Sequence, residues 1–359
     1  AMTIQAYERF VFIRLCLIIA CVLQPCINLL LLYHGGNVVT ISVATLVISF
    51  LTYVVYYCYA KKVLDLKYKF DNFDKNLFKN IFVFSAFLFL NTITDQLTFS
   101  TDNIILGIFS GSIMVAIYSV GSNFKNYFMA FSTSASSVFA PKINKIIAES
   151  GSDDETNEIF IRIGRIQFYI VTLILLGYIF LGRQFVYLWV GNEYSDAYWI
   201  GLLLMISVYV PCFQNIGLEI QKAKNMHKAR SVVYFLIAIV NIIITIPLSL
   251  LYGGIGASFA TCLCMFIGTV IFMNIYNYKK VGIDIPAFWK SIFRILPGMI
   301  IPIVYGVFIN CFININSYWN LLFVILGFVL VYFLSCWFFS MNHYEKDIFS
   351  KPLKRFLKK

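Results

Sequence analysis

The chain has 359 residues, of which 60% are hydrophobic and 13% charged, and a net charge of +11. Charge this sparse in so apolar a chain excludes an ordinary water-soluble domain. No RNA-binding aromatic motif accompanies the positive charge, so nucleic acid is not an expected partner.

Apolar segments run over 10–33, 38–60, 80–106, 113–140, 166–190, 197–221, 231–252, 255–278, 292–313 and 318–341. Each is roughly as long as the ~20-residue helix that crosses a hydrocarbon core at ~1.5 Å per residue. A transmembrane barrel would need ~10-residue segments of alternating polarity, which these runs are not. The predicted fold is an all-α polytopic transmembrane bundle of ten helices. All but two, Lys125 and Arg183, of the 28 Lys and Arg residues lie at the first end or in every second gap: 61–79, 142–165, 222–230, 279–294 and the tail 346–359. The alternate gaps at 34–37, 107–112, 191–196, 253–254 and 314–317 hold none. Short cytoplasmic loops retain positive charge, so both ends are expected in the cytoplasm of a bacterial cell.

In chain order, Glu8 and Arg9 already stand beside the first span, with no polar leader or signal peptide after Ala1. That abruptness gives the expectation that amino-terminal helices are lacking. Residues 61–79 read as a charged cytoplasmic linker. The third helix carries Asn91, Thr94, Asp95, Thr98, Thr101 and Asp102 on one stripe. A carboxylate near the bilayer centre must face protein or water. Counting from residue 80, Asp95 lies about 22 Å along the axis; Asp102 is nearer the outer surface, where it could be interfacial. The fourth helix bears Lys125 at its middle, flanked by Asn123 and Asn126. Two readings compete for Lys125, a structural pair with Asp95 or a cavity cation that attracts an anionic substrate.

Further along, Pro141–Ile147 could lie on the membrane surface, and Gly151–Glu155 reads as a flexible acidic elbow. Asn215 and Glu219 descend the sixth helix, where Glu219 could simply pair with Lys222. Asn241 sits mid-span and could bond a neighbouring helix. Arg183, on the outer side, has no evident role. Gly253-Gly254 and 314–317 are tight turns that make adjacent antiparallel hairpins. Interior prolines (Pro25, Pro211, Pro247, Pro297, Pro302) bend their helices, either for packing or as hinges. All nine Cys fall within the spans and act as small apolar residues, and neither a metal set nor a cofactor motif is present. The sequence carries no nucleophilic triad, and its outer gaps are too short for a lipid-sugar polymerase or ligase site. A transporter, not an enzyme, is the expectation.

Thr101-Asp102-Asn103-Ile104-Ile105-Leu106-Gly107, Ala116-Ile117-Tyr118-Ser119, Ser136-Ser137-Val138-Phe139-Ala140-Pro141-Lys142, Leu188-Trp189-Val190-Gly191-Asn192-Glu193-Tyr194, the run Asn241–Pro247 and Tyr252-Gly253-Gly254-Ile255-Gly256-Ala257 follow one another in a familiar order. In these stretches the chain resembles the Wzx-type polysaccharide flippases of the multidrug/oligosaccharidyl-lipid/polysaccharide exporter superfamily. The resemblance implies two six-helix bundles around a central cavity, some members adding two carboxyl-terminal helices. On that pattern, 1–60 would be the last two helices of the amino-terminal bundle and 61–79 the linker. Residues 80–278 would be the carboxyl-terminal bundle, and 279–359 the extra pair with a basic tail. Four amino-terminal helices would be lacking, and with them half the cavity wall.

The implied activity is movement of an undecaprenyl-diphosphate-linked oligosaccharide to the outer leaflet by alternating access. Its partners would be that substrate, membrane lipids, and the polysaccharide polymerase and export proteins. Lys125, Asn123, Asn126, Asn91 and Asn215 are the expected cavity residues for substrate, and Asp95 and Asp102 the coupling-ion or charge-pair residues. The alternative is a cation-coupled multidrug exporter of the same superfamily. Less favoured are a peptidoglycan-precursor flippase, whose cavity arginines would fall mostly in the lacking helices, and a purely structural assembly partner.

Overall fold

The computed structural model describes residues 10–63, 100–137, 153–224, 228–313 and 317–347, with scattered single positions elsewhere. Regular structure among these residues is entirely helical, as the apolar runs require: inside lipid every backbone N–H and C=O must find its partner within the segment. The helices are α1 (Phe10–Tyr33), α2 (Val38–Lys62), α3 (Thr101–Phe109), α4 (Gly111–Ser137), α5 (Asp153–Val190) and α6 (Asp196–Phe213). Then follow α7 (Ile216–Ala223), α8 (Lys228–Met265), the short α9 (Met273–Tyr276), α10 (Ile285–Phe293), α11 (Ile300–Phe312) and α12 (Tyr318–Phe339).

Six stretches are long and apolar enough to cross a membrane, or seven with the bent pair formed by α10 and 296–312. The difference from the ten expected has identifiable sources. Most of 80–99 lies outside the described residues. The 27-residue α4 is long enough, but Lys125 and its serine-rich end dilute its apolarity. Two expected helices are merged in one stretch, Arg230–Val281. Within it Gly253 is non-helical at φ 57°, ψ −136°. Asn241 Nδ2 donates to Thr261 Oγ1 at 3.2 Å, whereas twenty residues of straight helix would separate them by about 30 Å. The chain doubles back at Gly253, which glycine alone readily permits at positive φ.

The chain divides into two units, Ala1–Ile81 and Phe82–Lys359. In the first, α1 packs on α2 by stacking of Phe12 on Tyr59 and by a Gln24–Thr45 hydrogen bond of 3.3 Å. In the second, α4 crosses α6 at glycines on both sides. A Cβ at Gly121 would stand 2.7 Å from Ile200, and one at Gly201 3.2 Å from the Gly121 carbonyl, so only small residues permit the approach. Large apolar side chains such as Val11, Leu251 and Phe312 are over 70% exposed to the surroundings, as befits a lipid-facing surface.

Two expectations on the basic end are corrected. Asp153, Asp154 and Glu155 are not an elbow but the first turn of α5, where negative charge complements the helix dipole. Arg165, expected in a basic loop, is buried. Its Nε donates to Glu345 at 2.5 Å, and its Nη1 to the Ser291 carbonyl at 2.8 Å. Tyr169 donates to the same carboxylate at 3.3 Å, and the Asn342 backbone N–H does so at 2.9 Å. This cluster ties α5 to α10 and to the segment that follows α12. The surface expectation for Glu219 does hold, with Lys222 Nζ at 2.9 Å. Removing one partner of a buried pair leaves the other charge uncompensated, so Glu345→Ala should destabilise by about 3–5 kcal/mol. Thermal unfolding in detergent measures it; an unchanged midpoint would mean the pair carries no weight.

Candidate functional site

Asp102 stands in the first turn of α3 and is 1% exposed, so it is a buried core residue rather than an interfacial one. Side chains from two further helices surround it. Tyr118 of α4 donates its hydroxyl to Oδ2 in a short hydrogen bond, and Thr261 Oγ1 donates to the same oxygen at 2.9 Å. Thr245 lies beside the carboxylate, and the Lys125 charge acts on it electrostatically. Lys125 is itself 3% exposed and sits two turns beyond Tyr118 on the same face of α4.

The order of proton donation follows from the distances. Thr261 has one hydroxyl proton, and Asp102 at 2.9 Å is nearer than Asn241 Oδ1 at 3.3 Å. Asn241 Nδ2 then donates to Thr261, and Thr245 lies 3.3 Å from Asn241 Oδ1. Asn241 and Thr245 are four residues apart on one arm of the α8 hairpin, and Thr261 is on the other. The reversal at Gly253 brings them together above α3. The result is an oxygen-rich, completely buried cluster with one carboxylate and one neighbouring ammonium, suited chemically to holding a proton or a small cation. Among the described residues, no three His, Cys, Asp or Glu side chains are grouped as metal ligands.

The expected site residues are not all brought together. Asn123 and Asn126 flank Lys125 in sequence but lie on the exposed side of α4. Asn215 occupies the break between α6 and α7, where its Nδ2 donates to Ser136 Oγ at 3.0 Å. It lines a separate cavity. Asn91 and Asp95 lie outside the described residues. Tyr118, Thr245 and Thr261 escaped the sequence reading; the Asn241/Thr245 spacing of four was the available signal.

Buried, hydrogen-bonded polar groups among long apolar helices mark a polytopic membrane protein. Residues 4–198, more than half the chain, match the family of polysaccharide biosynthesis proteins, and the chain belongs to that family. Its fold is similar to that of the lipid II flippase MurJ in an inward closed conformation, with a TM-score of 0.63 at 18% identity. The likeness covers 91% of this chain and 65% of that protein, so the chain spans a little under two thirds of its length. No curated protein matches by sequence. The chain is thus a multi-pass membrane protein of the polysaccharide biosynthesis family with a MurJ-like fold.

If Asp102 and Lys125 support one another, Asp102→Asn and Lys125→Met should each destabilise the protein, and the double variant by less than the sum. A coupling of roughly 0.5–3 kcal/mol is expected for residues in one network. Thermal unfolding of the four proteins in detergent measures it, and strict additivity would separate the two groups.

Proposed function

We propose that this protein carries undecaprenyl-diphosphate-linked oligosaccharide repeat units from the cytoplasmic to the outer leaflet of the bacterial cytoplasmic membrane. The material would serve capsule, exopolysaccharide or O-antigen biosynthesis, alongside polymerase and export proteins. The observation that carries this reading is the buried Asp102–Lys125 cluster inside the helices of a polysaccharide biosynthesis protein. A diphosphate and its sugars do not cross hydrocarbon unaided, and the machinery needed is a polar path whose charges change partners. Membership of the family and likeness of fold to a lipid II flippase support the same class.

In this reading Asp102 takes up the coupling proton or cation through the oxygens of Thr245, Thr261 and Asn241. Uptake weakens the hold of the carboxylate on Lys125, and the ammonium becomes available to the diphosphate. Asn123 and Asn126, exposed on α4, with Asn91 and Asn215, contact the sugar head, and Asp95 adds a second charge to the path. Helices α1 and α2 belong to the amino-terminal bundle, 80–278 form the carboxyl-terminal bundle, and 279–359 add a helix pair and a basic tail. Both ends lie in the cytoplasm, which puts the basic ends of the helices there too. No covalent step on the sugar is involved.

The test is export in cells from the full-length gene. Lys125→Ala and Asp102→Asn should each lower surface polysaccharide at least tenfold, with lipid-linked repeat units accumulating in the cytoplasmic leaflet. Unaltered export by both variants defeats the reading. Loss of drug efflux in place of polysaccharide would establish the multidrug exporter instead.

A further inference from the structure

Helix α10 (Ile285–Phe293) is short and strongly sided. Ile285, Phe288 and Ile292, with Ile295 just beyond, are all buried and share one side of the helix. The outward side has two edges of different chemistry. Phe293, 59% exposed, and the half-buried Trp289 form one, their rings 5.9 Å apart. Lys290 and Arg294, four residues apart and both exposed, form the other. The chain then bends by 42° into 296–312, so α10 leans away from the direction of that span.

Charge around this helix is unbalanced. Residues 276–300 hold Lys279, Lys280, Lys290 and Arg294 against a single acid, Asp284. Asp284 is engaged as the cap of α10, its Oδ1 accepting from the Ala287 N–H at 3.0 Å. Among the described residues no carboxylate forms an ion pair with any of the four cations. The acids of the same end are taken: Asp153 pairs with Lys224, Glu158 with Arg162 and Glu345 with Arg165.

The roll of α10 is fixed from within. Asn157 Oδ1 accepts from the Asp284 N–H at 2.9 Å, and Lys224 Nζ donates to the Val281 carbonyl at 2.9 Å, just ahead of the helix. Arg165 Nη1 holds the far end through the Ser291 carbonyl at 2.8 Å and its hydroxyl at 3.1 Å. The two outward edges are therefore presented by the fold.

We propose that α10 is a docking surface for anionic phospholipid of the leaflet at the protein's basic end, with the headgroup phosphate on Lys290 and Arg294 and an acyl chain against Trp289 and Phe293. Rings on one edge and cations on the other fit the boundary between acyl chains and headgroups, where each edge meets its own medium. Lipid is favoured over an acidic protein segment by continuity. Leu296 and Ile300, both exposed, carry the apolar edge onward into the outer face of 296–312. Positive loops in general orient a chain without holding any particular lipid; here unpaired cations share a face with aromatic rings. The inference goes beyond the flippase reading and does not depend on what the protein carries.

Native mass spectrometry of the full-length protein in detergent, titrated with dioleoyl-phosphatidylglycerol or dioleoyl-phosphatidylcholine, tests it. Each cation near an anionic surface is worth roughly fivefold in affinity, so Lys290→Gln/Arg294→Gln should weaken binding of the first phosphatidylglycerol by roughly tenfold or more. Phosphatidylcholine binding should not change in that variant, and Lys290→Arg/Arg294→Lys should keep the phosphatidylglycerol. Phe293→Ser should weaken both lipids alike, a signature that charge alone does not give, and it keeps the idea testable should the double variant fold poorly. Lys61→Gln/Lys62→Gln, which removes the same charge from the end of α2, should leave the first phosphatidylglycerol bound. Equal phosphatidylglycerol affinity in wild type and Lys290→Gln/Arg294→Gln, an equal loss in Lys61→Gln/Lys62→Gln, or no loss in Phe293→Ser overturns the proposal.

Discussion

The architecture of the larger unit is governed by the cost of holding a carboxylate and an ammonium among apolar helices. An isolated Asp or Lys at that depth is expensive by several kcal/mol, whichever scale is used. Asp102 and Lys125 are both almost fully enclosed, so the surrounding fold must provide what water would. Tyr118, Thr245 and Thr261 do so at the carboxylate, and the requirement fixes the mutual placement of α3, α4 and both arms of α8. The Gly253 reversal follows from the same need, because Asn241 and Thr261 meet only if the chain turns back there. Attraction between the charges is not what stabilises the fold most; their removal from water has to be offset, and a completely hydrogen-bonded cluster is how.

Much of the membrane architecture was legible in the sequence, because segment length and the alternation of charged gaps report on the bilayer directly. Residues such as Gly253 announce themselves as turns, and the polar stripe of the third helix marks a face. What sequence could not supply was the partner of each polar group. By its distance along the helix Asp102 could have been interfacial or a charge-pair residue; it is buried, because burial depends on which helix lies across from it and not on depth. Lys125 could be matched with Asp95 by depth, and Asp95 lies outside the described residues; the described structure places Lys125 within the electrostatic reach of Asp102. Arg165 sat in a charged gap and read as a loop cation, although Glu345, 180 residues away, encloses it. Single-helix periodicity tells which face is polar and leaves open where on the opposing helix the answering group will be.

The same limit applied to helix continuity. Pro211 announced a bend in its span, but the π-helical winding within 266–281 has no composition signature. Yet these irregular stretches line the separate cavity at Asn215, together with Arg230. Regular helix is what lipid enforces on an exposed backbone, and non-helical geometry survives only where protein or an internal cavity covers it. Irregular backbone at membrane depth is therefore itself a pointer to an internal space.

The Asp102 cluster and the cavity at Asn215 are joined by the α8 hairpin. Its antiparallel register sets Asn241 beside Thr261, and the packing of Ile237 against Gly268 continues that register toward the basic end. Arg230 and Met273 accordingly face one cavity. From Asn241 to Arg230 the first arm rises about 16 Å as unbroken helix. The arms meet at Asn241 and Thr261 and at Ile237 and Gly268, and both line the cavity at Arg230. A proton or cation arriving at Asp102 changes the pull on Thr261. On the proposed cycle, the pull of an ion at Asp102 is felt first by the α8 hairpin, whose two arms Gly253 joins.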